Sequence, residues 1–253
     1  KKHKCGVVYA EHEPNHSKTK FEKLLSKFSS KFADKIVCLN AAYKNTAGIN
    51  HEKIIVIPNG VKHHFYQPKE KNQVGVLGMA ARIVDTKDHL NLILSFKTVL
   101  KKHPHLKLKI AGDGNLKNQM LKLVNKNKLE SQVSFVGLLN EDELIKFYQS
   151  LNVYVHATKS ETLSTSILQA MSCGLPVITS NIENNAILIE EGSTGWLYKD
   201  QNAVDLANKI NFVVEHPDLA NKVGLHARTH VRENYTIENM AKLYITVLNE
   251  IKL

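Results

Sequence analysis

Two basic residues follow the first strand of a long predicted βα series. Arg82 and Lys87 stand shortly after the apolar run 74–79, at the end from which a parallel strand presents ligand-binding residues. Arginine offers a planar fork to two phosphate oxygens and lysine a mobile point charge, so the pair suits a diphosphate. Taken alone the pair is weak, because arginines and lysines on a protein surface are usually only solvated.

A short polar segment with one carboxylate precedes a later predicted helix. Glu161 follows a predicted strand, and Thr162, Leu163 and Ser164 lead into the helix 164–172. A hydroxylated residue at a helix start can cap the helix, and the exposed amides there attract an anion. Glu161 could accept hydrogen bonds from sugar hydroxyls. The competing interpretation is that it only decorates a helix start, where negative charge is favoured in any case.

Four further positions could lie near these residues, at the edge of the sheet where the strands end. Gln169 is on the helix that follows Glu161 and could point toward the same cleft. Gly112 and Gly114 bracket a tight turn between a strand and a helix. His12 ends the first predicted strand and could meet the ligand from another lobe. Each has a plainer interpretation, since a lone histidine or a glutamine at a helix edge is more often structural.

The elements that must position these residues alternate in type along the chain. Apolar runs predict strands at 6–10, 35–39, 54–57, 74–79, 106–111, 133–136, 153–156 and 177–179. Amphipathic stretches predict helices at 17–32, about 41–47, 88–102, 116–125, 142–150, 164–172, 203–215 and 237–251. In the helix 17–32, one face carries Phe21, Leu24, Leu25 and Phe28. Strands that alternate with helices indicate βαβ units and a parallel sheet, whose loops open on one edge.

This series divides into three parts. Residues 1–66 hold too few strands for a complete domain of this kind, so we interpret them as the C-terminal part of a Rossmann-like domain that is truncated at its N-terminus. The polar segment 65–73 is the predicted linker. Residues 67–233 form a nearly complete doubly wound, Rossmann-like domain, and residues 234–253 form a helix that packs back toward the first lobe. The predicted fold class is α/β.

Composition excludes several classes of protein. Of the 253 residues, 43% are hydrophobic, which supports a sizeable core and argues against disorder. Three cysteines are too few for a disulfide framework or a zinc site and fit a reducing compartment. His226 and His230 have the spacing of a metal pair but lack a third ligand, so we predict no metal site. No apolar run approaches the roughly 18 residues of a membrane helix, and any targeting segment would lie upstream.

The net charge of +10 suits anionic partners. The lysines are scattered, however, and pairs such as Lys101-Lys102 lack interleaved aromatic residues. A solvated, lysine-rich surface is the plainer interpretation. We therefore expect no nucleic-acid partner, while peripheral contact with a membrane stays open.

Several segments, in order, resemble one known family. They are similar to motifs of the retaining glycosyltransferases of family 4, which have the GT-B fold. The matching segments are the domain-junction motif at 57–61 (IPNGV), Arg-x4-Lys at 82–87, the Gly-Asp-Gly turn at 110–114 (IAGDG), the Glu-x7-Glu region with its Ala-Met-x-Cys-Gly-Leu-Pro tail at 158–177, and a Thr-Gly pair at 194–195. The resemblance spans roughly residues 10–198.

The resemblance implies two Rossmann-like lobes. Residues 1–66 would be the end of the acceptor-side lobe, and residues 67–233 would form the lobe that mainly holds the nucleotide-sugar donor. It also implies transfer with retention of configuration, without a metal or other cofactor. The positions that would bind the donor are Arg82 and Lys87 (diphosphate), Glu161 (sugar), Thr162, Leu163 and Ser164 (backbone amides), Gly112, Gly114 and Gln169. The positions that would act in catalysis are His12, Arg82, Lys87 and Glu161.

Three positions depart from the family pattern. Gln169 replaces the second Glu, which in the family binds the ribose hydroxyls; the amide loses a charge-assisted bond of about 1 kcal/mol. Residues 162–164 replace a frequent Gly-Phe-Gly, and Ala81 stands where Gly usually precedes the Arg. None of these changes removes the site, but they blur which donor fits.

The predicted function is that of a hexosyltransferase-type enzyme in polysaccharide or other glycan biosynthesis. It would move a sugar from a nucleotide-diphosphate sugar to a saccharide or lipid-linked acceptor, in the cytoplasm or at the inner face of the membrane. The alternatives are a non-catalytic donor-binding lobe or partner subunit, a basic module that docks on membrane or nucleic acid, and a nucleotide-sugar epimerase on the same fold. The family builds its acceptor site mostly from the first lobe, so we expect this chain alone to bind donor without turning it over.

Overall fold

The computed structural model describes residues 6–12, 18–41, 51–63, 66 and 75–251. The predicted helix 41–47 and the predicted linker 65–73 lie almost entirely outside these residues. The chain divides into two units. Unit 1 comprises residues 1–61, 161–163 and 235–253, and unit 2 comprises residues 62–160 and 164–234.

Strands and helices alternate through both units, which confirms the α/β fold class. The strands are β1 (Val8–Glu11), β2 (Lys35–Cys38), β3 (Ile54–Val56), β4 (Val76–Ala80), β5 (Lys107–Ala111), β6 (Val133–Gly137), β7 (Val153–His156), β8 (Val177–Ser180) and β9 (Trp196–Tyr198). The helices are α1 (Lys20–Phe32), α2 (His89–Val99), α3 (Lys117–Lys126), α4 (Glu141–Ser150), α5 (Thr165–Ser172), α6 (Glu183–Ala186), α7 (Ala203–Glu215), α8 (Pro217–Asn234) and α9 (Ile237–Glu250), with a 3₁₀ turn at His51–Lys53.

Three elements were not predicted from the sequence. α6 and β9 are short, with only four and three residues, so they contain too little sequence to show a period. α8 is long but rich in His, Asn, Arg and Thr, and its buried positions are mostly small residues and valines. In the part of the chain that the structure describes, no helix combines the length and the apolar character needed to cross a bilayer.

Unit 2 is a doubly wound domain. Its parallel strands are hydrogen-bonded in the order β6-β5-β4-β7-β8-β9. Chain order reverses between β4 and β7, which are adjacent although two strands separate them in sequence. A crevice forms at such a reversal, beyond the carboxyl ends of the two strands. The core beneath it is apolar and includes Leu77, Ile93, Phe96 and Ile110, all fully buried.

Unit 1 contains a three-stranded parallel sheet in the order β1-β2-β3. α1 connects β1 to β2, and its start is fixed by a capping box between Thr19 and Glu22. The last helix of the chain, α9, packs Val247 against Val37 and Ile57.

The apolar face of α1 points away from its sheet. Phe21, Leu24 and Phe28 share one face, as the sequence pattern predicts, but their exposed fractions are 67%, 64% and 60%. The buried positions of the helix are Ser26 and Ser30. Periodicity therefore located the face correctly without indicating which face would meet the sheet.

A buried polar cluster explains why a serine faces inward. The carboxylate of Glu11 is paired with Lys18 and accepts hydrogen bonds from Ser26 Oγ at 2.5 Å and from Tyr9 OH at 2.8 Å. Burial by itself would raise the pKa of Glu11, but the hydrogen bonds from Lys18, Ser26 and Tyr9 outweigh it and lower the pKa to about 2. Glu11 is therefore ionised and fully engaged at the end of β1, immediately before His12.

Lowering the pH should reduce the stability of unit 1, because it protonates Glu11 in this cluster. Because the pKa of Glu11 falls from 4.5 to about 2 on folding, its contribution is complete above about pH 4.5 and is lost as the pH falls toward 2. We expect Glu11→Gln to remove roughly 3 kcal/mol at neutral pH and to abolish this acid dependence. Hydrogen–deuterium exchange of the β1 and β2 amides measures both effects.

Glu250→Gln is the matched control, because it removes one carboxylate from an exposed ion pair with Lys35 in the same unit. It should change stability by no more than about 0.5 kcal/mol. Equal effects of the two substitutions would show that the buried cluster does not stabilise unit 1.

Candidate functional site

The candidate site lies at the reversal of strand order in unit 2. β4 and β7 pair in register, with Leu77 opposite Val153 and Gly78 opposite Tyr154. Two loops leave the adjacent carboxyl ends of these strands. The loop 81–88 leads to α2, and the loop 157–164 leads to α5.

Backbone hydrogen bonds join the two loops. The carbonyl of Thr86 accepts from Lys159 N and from Thr158 Oγ1, both at 3.0 Å. Asp88 N donates to Ala157 O at 3.0 Å. The position of each loop is therefore defined by the other as well as by its own strand.

The two basic residues of the first loop have different surroundings. Arg82 is exposed, near the strand end, whereas Lys87 is half-buried, near the helix start. Lys87 Nζ lies 3.5 Å from both Thr158 Oγ1 and the carbonyl oxygen of Ser160. Lys87 thus reaches the second loop at the residue immediately before Glu161.

Gly112 and Gly114 hold the backbone around Arg82. A Cβ atom on Gly112 would lie 2.0 Å from Ala81 O, and one on Gly114 would lie 2.3 Å from Ile83 O. Gly112 also has φ +127°, a conformation that side chains other than glycine rarely adopt. The close approach allows Ala81 N to donate to Ala111 O at 3.0 Å and Ile83 N to Asp113 O at 2.8 Å. The two glycines therefore position the segment that carries Arg82, while direct donor contact by them stays a prediction.

A cavity of about 200 Å³ opens beside this segment. It lies at the ends of β4, β5 and β6, and its lining residues all belong to unit 2. They are Ala80, Ala81, Arg82, Ala111, Gly112, Asp113, Leu138, Leu139, Leu144, Tyr148 and Ser166. The structure thus brings Arg82 and Gly112 together around one concave, mostly apolar surface with a basic side chain at its wall.

The start of α5 is held by a buried network that the sequence did not reveal. Ser164 caps the helix by accepting from Ile167 N at 3.4 Å, and its Oγ lies 3.4 Å from His156 Nε2. His156 Nδ1 is 3.0 Å from Tyr154 OH, which donates to the carbonyl of Ala80 at 3.2 Å. Hydrogen bonds therefore link the end of β4 to the start of α5. The only signal in the sequence was a Tyr and a His on alternate positions of a predicted strand.

Gln169 is held by two tyrosines. Its Oε1 accepts from Tyr148 OH at 3.1 Å, and its Nε2 donates to Tyr66 OH at 2.9 Å. Burial raises the pKa of Tyr66 to about 12, and it also raises the pKa of Tyr148 well above its usual range. Both phenols are therefore neutral at physiological pH. Since Tyr148 lines the cavity beside Arg82, Gln169 lies next to that wall.

The remaining predicted site residues belong to unit 1. His12 is exposed and directly follows β1. Within the same unit, Asn40 Nδ2 donates to the carbonyl of Thr162 at 2.6 Å, and Leu163 is buried. The assembly of His12 and Glu161 with Arg82 and Lys87 into one site stays a prediction.

His, Cys, Asp and Glu side chains are the potential metal ligands in the described part of the chain. No three or more His, Cys, Asp or Glu side chains are grouped there so as to hold a metal ion. His226 is bonded to Ser193, with Nδ1 and Oγ 3.1 Å apart.

Two curated relatives match most of this chain. A poly(ribitol-phosphate) α-N-acetylglucosaminyltransferase of Staphylococcus aureus is 28% identical over 252 residues, which cover 97% of this chain and 50% of the relative. The capsular polysaccharide biosynthesis glycosyltransferase CapM of Staphylococcus aureus is 26% identical over 238 residues, covering 88% and 61%. The chain spans about half to three fifths of the length of these relatives.

Solved structures share the fold. HepE of Anabaena, crystallised with UDP and glucose, superposes with a TM-score of 0.88 at 20% identity, covering 97% of this chain and 72% of that one. The pneumococcal O-GlcNAc transferase GtfA, crystallised with UDP and GlcNAc, gives 0.80 at 17% identity, covering 96% and 52%. At these identities the likeness shows a common GT-B fold and no more.

A family model decides the assignment. It matches residues 62–230, which include both loops of the candidate site and all of unit 2 except residues 231–234. The matched region is well over half of the chain, and the relatives just described carry glycosyltransferase names. The protein belongs to the family of glycosyl transferases group 1.

Proposed function

We propose that this protein is a retaining glycosyltransferase that takes its sugar from a nucleoside-diphosphate donor. The observation that carries the proposal is the pair of joined loops at the reversal of strand order. One loop carries Arg82 and Lys87, and the other runs through Ser160 to Glu161. Cations suited to a diphosphate and a carboxylate suited to sugar hydroxyls thus follow neighbouring strands.

The proposed donor is a UDP-sugar. HepE and GtfA, which share the fold, were crystallised with UDP. The cavity beside Arg82 supports the same choice, because it has an apolar wall of Leu138, Leu139 and Leu144 next to the basic side chain. A flat base can pack on the apolar wall while the diphosphate extends toward Arg82 and Lys87.

The proposed role of the two cations is electrostatic. Transfer breaks the bond between the anomeric carbon and the β-phosphate oxygen, and a bond from that carbon to an acceptor oxygen forms on the same face. The acceptor's proton leaves to the phosphate. Arg82 and Lys87 would stabilise the charge that develops on the departing UDP, and positioned donors of this kind are worth about 3 kcal/mol each. No metal is required in this proposal.

The proposed acceptor is a saccharide, a polyol phosphate or a lipid-linked glycan. The Staphylococcus aureus relatives act on poly(ribitol-phosphate) and in capsular polysaccharide biosynthesis. Glu161 is proposed to hold the donor sugar, and His12 to meet the reacting centre from unit 1.

Calorimetry with UDP, UDP-glucose, UDP-N-acetylglucosamine and GDP-mannose tests the donor assignment. A folded protein that binds none of them would exclude it.

An epimerase on the same fold makes a different prediction. It would convert the donor to its epimer when no acceptor is present, whereas a transferase would leave the donor largely unchanged. Analysis of the UDP-sugar after incubation without acceptor separates the two activities.

Removing either cation should reduce turnover without unfolding the protein. We expect Arg82→Ala and Lys87→Ala each to lower kcat by about 100-fold or more in the full-length protein, because each removes charge stabilisation at the leaving group. Lys101→Ala, an exposed lysine of the same unit that does not line the cavity beside Arg82, is the control and should leave kcat unchanged. Near-normal turnover in both site variants would refute the assignment.

A substitution in the glycine turn should weaken UDP binding by displacing the segment that carries Arg82. Gly112→Ala would place a Cβ 2.0 Å from Ala81 O, so we expect that segment to shift and UDP binding to weaken by roughly tenfold or more. Gly192→Ala is the control, because Gly192 also has a positive φ, +74°, but no atom lies within 4 Å of the added Cβ. Calorimetry should show normal UDP affinity for Gly192→Ala. Equal losses in the two variants would mean that backbone strain, and not the packing of the turn on Ala81, is responsible.

Gln169→Glu should be tolerated. A carboxylate can accept from both Tyr66 and Tyr148, whose phenols are neutral, and it would regain a charge-assisted bond to ribose. We expect UDP affinity to rise by roughly fivefold, or about 1 kcal/mol, with no gain for 2′-deoxy-UDP. Gln169→Leu, which cannot accept from Tyr148, is the contrasting variant. Weaker UDP binding by Gln169→Glu would show that the amide itself is required.

A further inference from the structure

A second cavity, of about 320 Å³, opens in unit 2 between α2 and α3. Its volume falls in the range of roughly 300–1,000 Å³ that is typical of small-ligand sites. It is lined by Ile83, Asp85, Lys87, Asp88, His89, Leu90, Leu116, Gln119, Met120, Lys122, Leu123, Lys126 and Lys159. None of these residues lines the cavity beside Arg82, so the two cavities are separate.

The inner wall of this cavity is apolar. Ile83 and Met120 are buried there, and Leu116 and Leu123 pack against the same core. A wall of this kind can pack against the C–H face of a sugar or a polyol chain. It offers little to a small inorganic anion, which has no apolar surface to bury.

The rim of the cavity is basic. It carries four lysines and two aspartates. Asp88 is buried and caps α2 by accepting from Asn91 N at 3.2 Å, while Asp85 is paired with Lys159 at 3.0 Å. Lys122 and Lys126 are exposed and one helical turn apart on α3. The rim therefore favours an anion, and its two α3 lysines can approach one phosphate.

His89 adds a hydrogen-bond acceptor to the wall. Its side chain is buried, and Nδ1 donates to the carbonyl of Lys87 at 3.0 Å. Burial lowers the pKa of His89 to about 4, so the ring is neutral at physiological pH and Nε2 carries a lone pair. Within the described residues this Nε2 has no hydrogen-bond partner. A buried acceptor in the wall of a cavity suits a ligand that brings a hydroxyl donor.

We propose that the cavity between α2 and α3 binds a phosphorylated sugar or polyol. The phosphate contacts Lys122 and Lys126, the carbon chain packs on the apolar wall, and a hydroxyl donates to His89 Nε2. A neutral sugar lacks the charge that the rim selects, and inorganic phosphate lacks both the apolar face and the hydroxyl donor. Lys87, which the proposed donor site uses for the diphosphate, also lines this cavity. The phosphate contacts proposed here, Lys122 and Lys126, do not line the cavity beside Arg82, and the proposal does not rest on the proposed transferase activity.

Calorimetry can test the ligand class with defined probes. Glucose 6-phosphate and ribitol 5-phosphate are titrated into the protein in the presence of saturating UDP, with glucose and inorganic phosphate as the component probes. We expect at least one of the two phosphorylated probes to bind with saturation and each component to bind at least about tenfold more weakly. Equal affinity for inorganic phosphate, or no binding of either phosphorylated probe, would overturn the proposal.

Two charge variants can locate the site. Lys122→Gln combined with Lys126→Gln should weaken binding by roughly tenfold, the loss expected when charged contacts to a phosphate are removed. Lys101→Gln combined with Lys222→Gln removes the same charge from exposed positions of unit 2 that do not line the cavity, and it should have no effect. Equal weakening by both pairs would indicate unspecific attraction to a basic surface and would overturn the site.

Arg82→Ala separates this cavity from the donor site. The variant should bind the phosphorylated probe normally, even where it has lost UDP affinity. Hydrogen–deuterium exchange with the probe should slow the amides at the start of α2 and along α3. Loss of probe binding in Arg82→Ala, or protection confined to the segment 110–114, would place the probe in the donor site and refute the second cavity as its location.

Discussion

The candidate site depends on hydrogen bonds between two loops that leave neighbouring strands. The carbonyl of Thr86 accepts from both Lys159 N and Thr158 Oγ1, and Asp88 N donates to Ala157 O. Backbone groups in loops need partners as much as those in helices and strands, and here each loop supplies the partners of the other. The side chains that could do chemistry project from these loops, so their spacing is set by main-chain geometry and is insensitive to most side-chain changes.

Beneath the loops, buried polar residues fix the start of α5 and the back of the cavity. Tyr154 and His156 connect the carbonyl of Ala80 to the capping residue Ser164, and Tyr148 holds the amide of Gln169. Buried polar groups are costly unless they are satisfied, and satisfied networks specify one arrangement. The Tyr148 phenol holds Gln169 and also lines the cavity beside Arg82. The cavity wall and helix α5 are therefore joined by a hydrogen bond.

The sequence predicts those strands, helix starts and site residues that depend on local pattern. The β4 and β7 segments, the placement of Arg82 and Lys87 after β4 and the start of α5 at Ser164 all follow from apolar runs and capping chemistry. It did not reveal which face of α1 is buried, because that choice is made by the distant contact of Ser26 with Glu11. Nor did it reveal the role of His156. This residue contacts Tyr154 on β7 and the capping residue Ser164, and Tyr154 in turn donates to the carbonyl of Ala80 at the end of β4. The bonds of Ser26 with Glu11 and of Tyr154 with Ala80 join residues far apart in sequence, and no short-range period encodes them.

The charges around the loops explain why Arg82 can act on a ligand. Of the acidic side chains in the same region, Asp113 is paired with Lys117 at 2.7 Å and Asp85 with Lys159 at 3.0 Å. The hydrogen bonds from Lys117 and from the amide of Gly114 lower the pKa of Asp113, so that carboxylate stays ionised and committed to its own partners. Among the described residues, neither of these two carboxylates is bonded to Arg82. The buried side chains of Tyr148 and His89 are neutral, because burial shifts their pKa values away from the charged forms. The positive charge of Arg82 at the wall of the cavity is therefore available to an anion that binds beside the two loops.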